Sequence, residues 1–268
     1  MDITVIKEKM KSTWANGDFG MIARSLMPAA ENFVGSLKIP KGSGVLDVAC
    51  GSGNLALIAA WNGAKVKGLD IVEDLIRQAK ERAEESYLDI QFETGDAEDL
   101  PYSDNEFDYV ISMFGSMFCP RPEIAAKELF RVCRQGGIVA MANWVPYGFA
   151  QDFFGTIRSF APPAPAGMSS PNEWGDKETV SRRFNGLAES IKFTKKSLHM
   201  IFPLSSEGTV EFFIKYFGPA KSVYDNLDNE KRMKFQSALN NVFSKHNASK
   251  DHNTALKGDY MEVVAVKA

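Results

Sequence analysis

Apolar side chains return along this chain in two different rhythms. Within residues 1–40, Ile22, Leu26, Ala30, Phe33 and Leu37 recur every three or four positions, the spacing of one helix face. Pro28 interrupts that pattern, and its missing N–H predicts a kink or break there. After Pro40-Lys-Gly-Ser-Gly, short apolar runs alternate with helical spacing. Residues 45–48, 66–69, 90–93, 107–112 and 138–144 read as strands. Residues 55–62, 72–85 and 122–132 read as helices, the last ending toward Gly136-Gly137. Strands separated by helices of this length imply right-handed crossovers and a parallel sheet covered on both faces, an α/β fold. Farther on, residues 177–187 and 230–246 fit helices, residues 191–202 and 260–266 fit strands, and Pro162-Pro163-Ala164-Pro165 reads as a linker-like break. The organisation expected is an N-terminal helical cap over residues 1–40, an α/β core over 41–145, and a part over 146–268 that completes the sheet and carries a helical cap insertion.

Composition narrows the classes. The 268 residues are 44% hydrophobic and 24% charged, which is ordinary for a globular chain able to bury a full core. A formal net charge of −3, with lysines interspersed among acids, disfavours nucleic acid as a substrate. The first residues, Met-Asp-Ile-Thr-Val-Ile-Lys-Glu-Lys, lack the apolar core of a signal peptide, and no apolar run approaches a membrane span. The cytoplasm is the expected location. Cys50, Cys119 and Cys133 are too scattered for a metal array and read as small buried residues, so no metal is expected.

The chemistry concentrates at the ends of the early strands. Asp47-Val-Ala-Cys-Gly51-Ser-Gly53-Asn-Leu-Ala56 joins a strand to a helix through a glycine turn. Such a turn lets a ligand approach the backbone, and the helix start offers free N–H groups. Alone, this pattern fits several nucleotide folds. Three carboxylates sharpen it. Asp47, at the end of an apolar strand, needs donors, from the glycine-turn amides or a ligand's ammonium. Asp70 ends the second strand, where a carboxylate accepts ribose hydroxyls. Asp96 follows Gly95 at the end of the third strand, within reach of an adenine amino group.

Val45-Leu-Asp-Val-Ala-Cys-Gly-Ser-Gly53, Gly68-Leu-Asp70, Gly95-Asp-Ala-Glu-Asp-Leu-Pro101 and Phe107-Asp-Tyr-Val110 together resemble the class I S-adenosylmethionine-dependent methyltransferases. They are similar in particular to the branch that includes the ubiquinone and menaquinone biosynthesis methyltransferases. The resemblance spans roughly residues 40–145. It implies a Rossmann-like sheet of seven strands, mostly parallel, with the last strand antiparallel. It also implies S-adenosylmethionine as cofactor, with Asp47, Ala49, Gly51 and Gly53 at its methionine portion. Asp70 and Ile71 would meet the ribose, Asp96 and Ala97 the adenine, and Ser112 and Met113 the region of the sulfonium. A long aromatic segment, with Phe212, Phe213, Tyr216 and Phe217 between the two late strands, departs from the family pattern.

Methyl transfer needs a nucleophile held in line with the methyl carbon and shielded from water. Phe19, Met117, Trp144, Phe149 and Phe153 are candidates for the acceptor pocket. Trp14, in a Gly- and Asp-flanked segment, is a candidate to close over the cofactor. The three histidines, His199, His246 and His252, fall on a late strand, a helix end and a loop, and no catalytic residue is assigned. The function expected is methyl transfer to a small apolar or aromatic molecule. A non-catalytic cofactor-binding protein and a nicotinamide-dependent oxidoreductase are the competing readings.

Overall fold

A computed structural model describes residues 2–163 and 168–268. The N-terminal region forms three helical pieces. Asp2 opens α1 (Ile3–Ala15) by accepting the Thr4 N–H at 3.0 Å. Next come α2 (Phe19–Ala23), a short 3-10 turn at Arg24–Leu26, and α3 (Met27–Leu37). Pro28 does not kink a helix. It sits in the first turn of α3, where an N–H would have no intrahelical partner in any case.

The core alternates β1 (Gly44–Val48), α4 (Asn54–Trp61), β2 (Lys65–Asp70), α5 (Glu73–Glu85), β3 (Ile90–Thr94), β4 (Phe107–Met113), α6 (Pro122–Val132) and β5 (Cys133–Trp144). The Gly136-Gly137 pair, expected to follow the helix, lies inside β5 instead. There Gly136 has φ +65° beside a register shift against β4, so the glycines form an irregularity within the strand.

The later chain contributes α7 (Gly148–Phe160), α8 (Lys177–Arg183), β6 (Ala188–Phe202), α9 (Ser206–Tyr216), α10 (Gly218–Asp225), α11 (Asn229–His246) and β7 (Thr254–Lys267). The helix expected over 177–187 stops at Arg183, and the chain enters β6 at Ala188. The apolar spacing does not predict α7, α9 and α10. The proline break falls partly on residues 164–167, outside the described residues.

The seven strands run β3-β2-β1-β4-β5-β7-β6. Strands β1 to β5 are mutually parallel, and β7 is antiparallel to both of its neighbours, β5 and β6. The expected seven-stranded, mostly parallel sheet with an antiparallel last strand is therefore present. Helices α4 and α5 pack on β1–β3, α6 on β4 and β5, and α7 and α11 on β7. Connections leave β1 toward β2 on one side, while β4 lies on the other. This reversal opens a crevice at the carboxyl ends of β1 and β4, the usual ligand position in open α/β sheets. Helices α1, α2, α7, α9, α10 and α11 contact one another around that crevice. Among the described residues, no helix is long and apolar enough to cross a membrane.

Candidate functional site

The turn after β1 is built from left-handed residues. Ala49 and Gly51 both have φ +54°, and Gly53 has φ +84° as the residue before α4. A β-carbon is tolerated poorly in this region, so glycine suits the turn. The reversal brings the strand-end carboxylates against free backbone amides. Asp47 accepts the Ala56 N–H of α4 at 3.0 Å. Asp70 accepts the Gly51 N–H at 2.8 Å and the Val72 N–H at 2.9 Å. The glycine-turn amide thus serves Asp70 rather than Asp47, which takes its hydrogen bond from the first helical turn.

Both carboxylates are buried, at 1% and 7% exposure. Burial pushes the Asp47 carboxyl well above the usual range. The Ala56 N–H opposes that rise, and the neighbouring charge of Asp70 adds to it. Burial raises Asp70 as well, partly offset by its backbone donors. Asp96 sits at the third strand's end, accepts the Glu98 N–H at 2.9 Å and pairs with Lys7 from α1. Glu98 has a fully buried side chain and takes Lys7 Nζ and Arg121 Nε, each at 2.7 Å.

These groups line one cleft. On its walls are Asp47, Ala49, Gly51, Asp70 and Ile71, together with Asp96, Ala97, Met113, Trp14 and Phe19. Gly53 and Ser112 are not on these walls. Gly53 lies behind the turn against Phe92, and the buried Ser112 hydroxyl donates to the Val48 carbonyl at 2.8 Å. The cleft also takes in Met10, Phe114, Gly115, Phe118 and Cys119, which were not expected as cofactor contacts. A β-carbon on Gly115 would lie 2.4 Å from the Ala49 carbonyl oxygen, so the loop after β4 packs directly on the turn after β1.

An adenosyl-amino acid matches this cleft in donor pattern. Asp47 is a buried carboxylate with one hydrogen bond from the described residues, which leaves acceptor capacity for an ammonium group. Asp70 and Asp96 each keep lone pairs beyond the donors they already have.

A second chamber adjoins the cleft. Trp14, Phe19, Leu26, Phe114 and Phe118 belong to both cavities. Trp144, Phe149 and Phe153, the candidates for an acceptor pocket, line it together with Phe154, Phe213 and Phe217 from the cap. Met117 is fully buried and lies on neither wall. Trp14 makes edge contacts with Phe118 at 5.0 Å, Phe217 at 5.4 Å and Phe19 at 5.7 Å between centroids. Among the described residues, no titratable side chain lines this chamber.

Comparison with known proteins agrees with this arrangement. A family described as a methyltransferase domain matches residues 45–137. An uncharacterized Mycobacterium tuberculosis protein is 37% identical over 218 residues, covering 81% of this chain and 80% of that protein. The demethylmenaquinone methyltransferase of Bacillus licheniformis is 33% identical over 160 residues, 57% of this chain and 68% of that enzyme. Two solved structures share the fold. The YcgJ protein of Bacillus subtilis has a TM-score of 0.59 at 16% identity, over 89% of this chain and 98% of its own. A Haemonchus contortus phosphoethanolamine N-methyltransferase, solved with S-adenosylhomocysteine, has a TM-score of 0.56 at 17% identity, over 88% of this chain and 52% of its own. The chain belongs to the class I S-adenosylmethionine-dependent methyltransferases, and its cofactor is S-adenosylmethionine.

Proposed function

We propose that this enzyme methylates a small, apolar, aromatic acceptor held in the phenylalanine-lined chamber beside the cofactor cleft. The observation that carries this reading is the shared wall: five apolar residues separate the two cavities, and the outer chamber presents aromatic and aliphatic surface throughout. An acceptor seated there gives up its hydration, which only an apolar body does at little cost.

S-adenosylmethionine, when bound, supplies a methyl group carried on a cationic sulfonium. Asp47 and the turn at Ala49 and Gly51 hold its methionine portion, Asp70 and Ile71 its ribose, and Asp96 and Ala97 its adenine. Met113 and Phe114 bring the end of β4 to the border between cleft and chamber. The aromatic walls restrict the acceptor's orientation and exclude water, effects that supply much of the rate in a displacement. With no titratable side chain on the chamber wall among the described residues, the acceptor's own nucleophilic atom attacks without a wall side chain's help, and any proton it carries is lost after transfer, once the product reaches solvent.

The test is calorimetric titration with S-adenosylmethionine of native protein and Asp70→Ala, followed by a mass-spectrometric screen of apolar phenols, quinols, aryl thiols and amines. The expected outcome is cofactor binding weakened by the substitution, with methylated product from one or more apolar aromatics. Turnover confined to charged or highly polar acceptors would overturn the acceptor assignment and leave the family membership intact.

A further inference from the structure

We propose that Lys7 is a positioning residue that fastens α1 across the cofactor cleft, so that Met10 and Trp14 complete its walls. The proposal rests on the reading of that cleft as the cofactor site.

Helix α1 is held very differently at its two ends. Its C-terminal end is anchored in the cap. The Asp18 N–H donates to the Tyr216 carbonyl at 2.9 Å, and Asn16 donates to Ser222 and Asp225 at 3.1 and 3.2 Å. A β-carbon on Gly218 would lie 2.3 Å from the Thr13 carbonyl oxygen, so backbone meets backbone there. Trp14 sits among three phenylalanine rings.

The remainder of α1 spans the cleft without burying a single residue fully. Helix propensity alone holds a 13-residue helix only marginally, so its position needs tertiary contacts. Lys7 supplies one, with its side chain 14% exposed between Asp96 and the fully buried Glu98. Arg121 Nε meets the same Glu98 oxygen, Oε2, at 2.7 Å, which fixes the carboxylate that receives Lys7. The lysine therefore reaches the adenine end of the cleft, while Met10 and Trp14 from the same helix line it. Asp96 keeps lone pairs beyond those used by Lys7 and the Glu98 N–H, so fastening and adenine recognition are compatible.

The experiment is stopped-flow dissociation of S-adenosylhomocysteine, followed by tryptophan fluorescence, for native protein, Lys7→Met and Lys7→Arg. Thermal melts of the three forms establish equal folding. Lys7→Met is expected to release the ligand about tenfold faster, while Lys7→Arg stays within about threefold of native. A Lys7→Met rate within twofold of native, or a Lys7→Arg rate equal to that of Lys7→Met, overturns the proposal. Failure of all three folded proteins to bind S-adenosylhomocysteine would overturn the cleft assignment instead.

Discussion

The rings of Phe114 and Trp144 stack with centroids 3.9 Å apart and planes within 5° of parallel. Two backbone features permit it. Phe114 has φ +54°, a conformation uncommon for a bulky residue, and it turns the ring back over the sheet. Gly258 of β7 lies beneath Trp144, where a β-carbon would approach the indole to 2.6 Å. Since both rings face the outer chamber, Gly258→Val is expected to displace Trp144 and raise the acceptor KM. Cofactor affinity should change little, at an overpacking cost of about 1–3 kcal/mol. Acceptor kinetics beside calorimetric cofactor titration check this. An unchanged acceptor KM with a lost near-UV circular dichroism signal would show that the stack is dispensable.

Asp47 is expected to weaken the ligand-free protein while serving the cofactor. Asp47→Asn keeps an acceptor for the Ala56 N–H and removes a buried charge. The variant should gain about 1 kcal/mol, or roughly 2–4 °C in Tm, and bind S-adenosylmethionine more weakly. The pH dependence follows from the upward shift that burial imposes on this carboxyl. A group raised in the folded state contributes stability fully below its unfolded value, about 3.9, and loses that contribution as pH climbs through the raised value. The advantage of Asp47→Asn should therefore vanish at acid pH and grow toward neutrality. Melts across pH measure it, and an advantage that shrinks as pH rises contradicts the assignment.

Contact between the two site loops is expected to be intolerant of a single methyl group. A β-carbon on Gly115 would meet the Ala49 carbonyl oxygen at 2.4 Å and its β-carbon at 2.8 Å. Backbone offers no rotamer to escape into. Gly115→Ala should cost about 2–3 kcal/mol and disturb the turn that carries Gly51. Chemical denaturation and cofactor titration give the answer. Native stability with native affinity would mean the loops separate freely.

The three thiols are expected to be inert in the folded protein. Burial is the main cause of the upward shift in each, and Cys133 is pushed up to about 11. The thiolate is the reactive form, so iodoacetamide at pH 8 should modify them at least about a hundredfold more slowly than in denaturant. Peptide mass spectrometry locates any adduct. Fast modification of Cys119, which lies on the cleft wall, would show a local positive charge that favours its ionisation.

How far the sequence reveals this site depends on how local each determinant is. Asp47 and Asp70 are readable because a carboxylate ending an apolar strand is costly without a task, and the task is set by the adjacent glycine turn. Residues just past β4 are harder. Strand alternation puts Met113 on the cleft and turns Ser112 away, toward Val48 and Ser116. The left-handed Phe114 then breaks the alternation and adds a second consecutive side chain to the cleft wall. Nothing in the spacing announces that reversal. Helices α9 and α10 are hidden in the sequence for a different reason. Phe213 and Phe217 find their partners in Phe153 of α7, about 60 residues earlier in the chain, so their burial is decided by tertiary contact. Lys7 looks like any solvated lysine until Asp96 and Glu98 are brought to it.

The position of β7 has a consequence for how this protein is made. It is the last strand in chain order, yet it lies between β5 and β6 rather than at an edge. A ribosome emits β1 to β5 long before it emits β7, so the half that carries the glycine turn can assemble first. The nascent sheet then waits with β5 as an open edge, and Trp144 lacks the strand on which it rests. Unpaired strand edges invite misassociation in just this interval. Synthesis halted before residue 254 would leave a chain with a formed donor turn and an unfinished acceptor chamber, aggregation-prone and a natural client for chaperones.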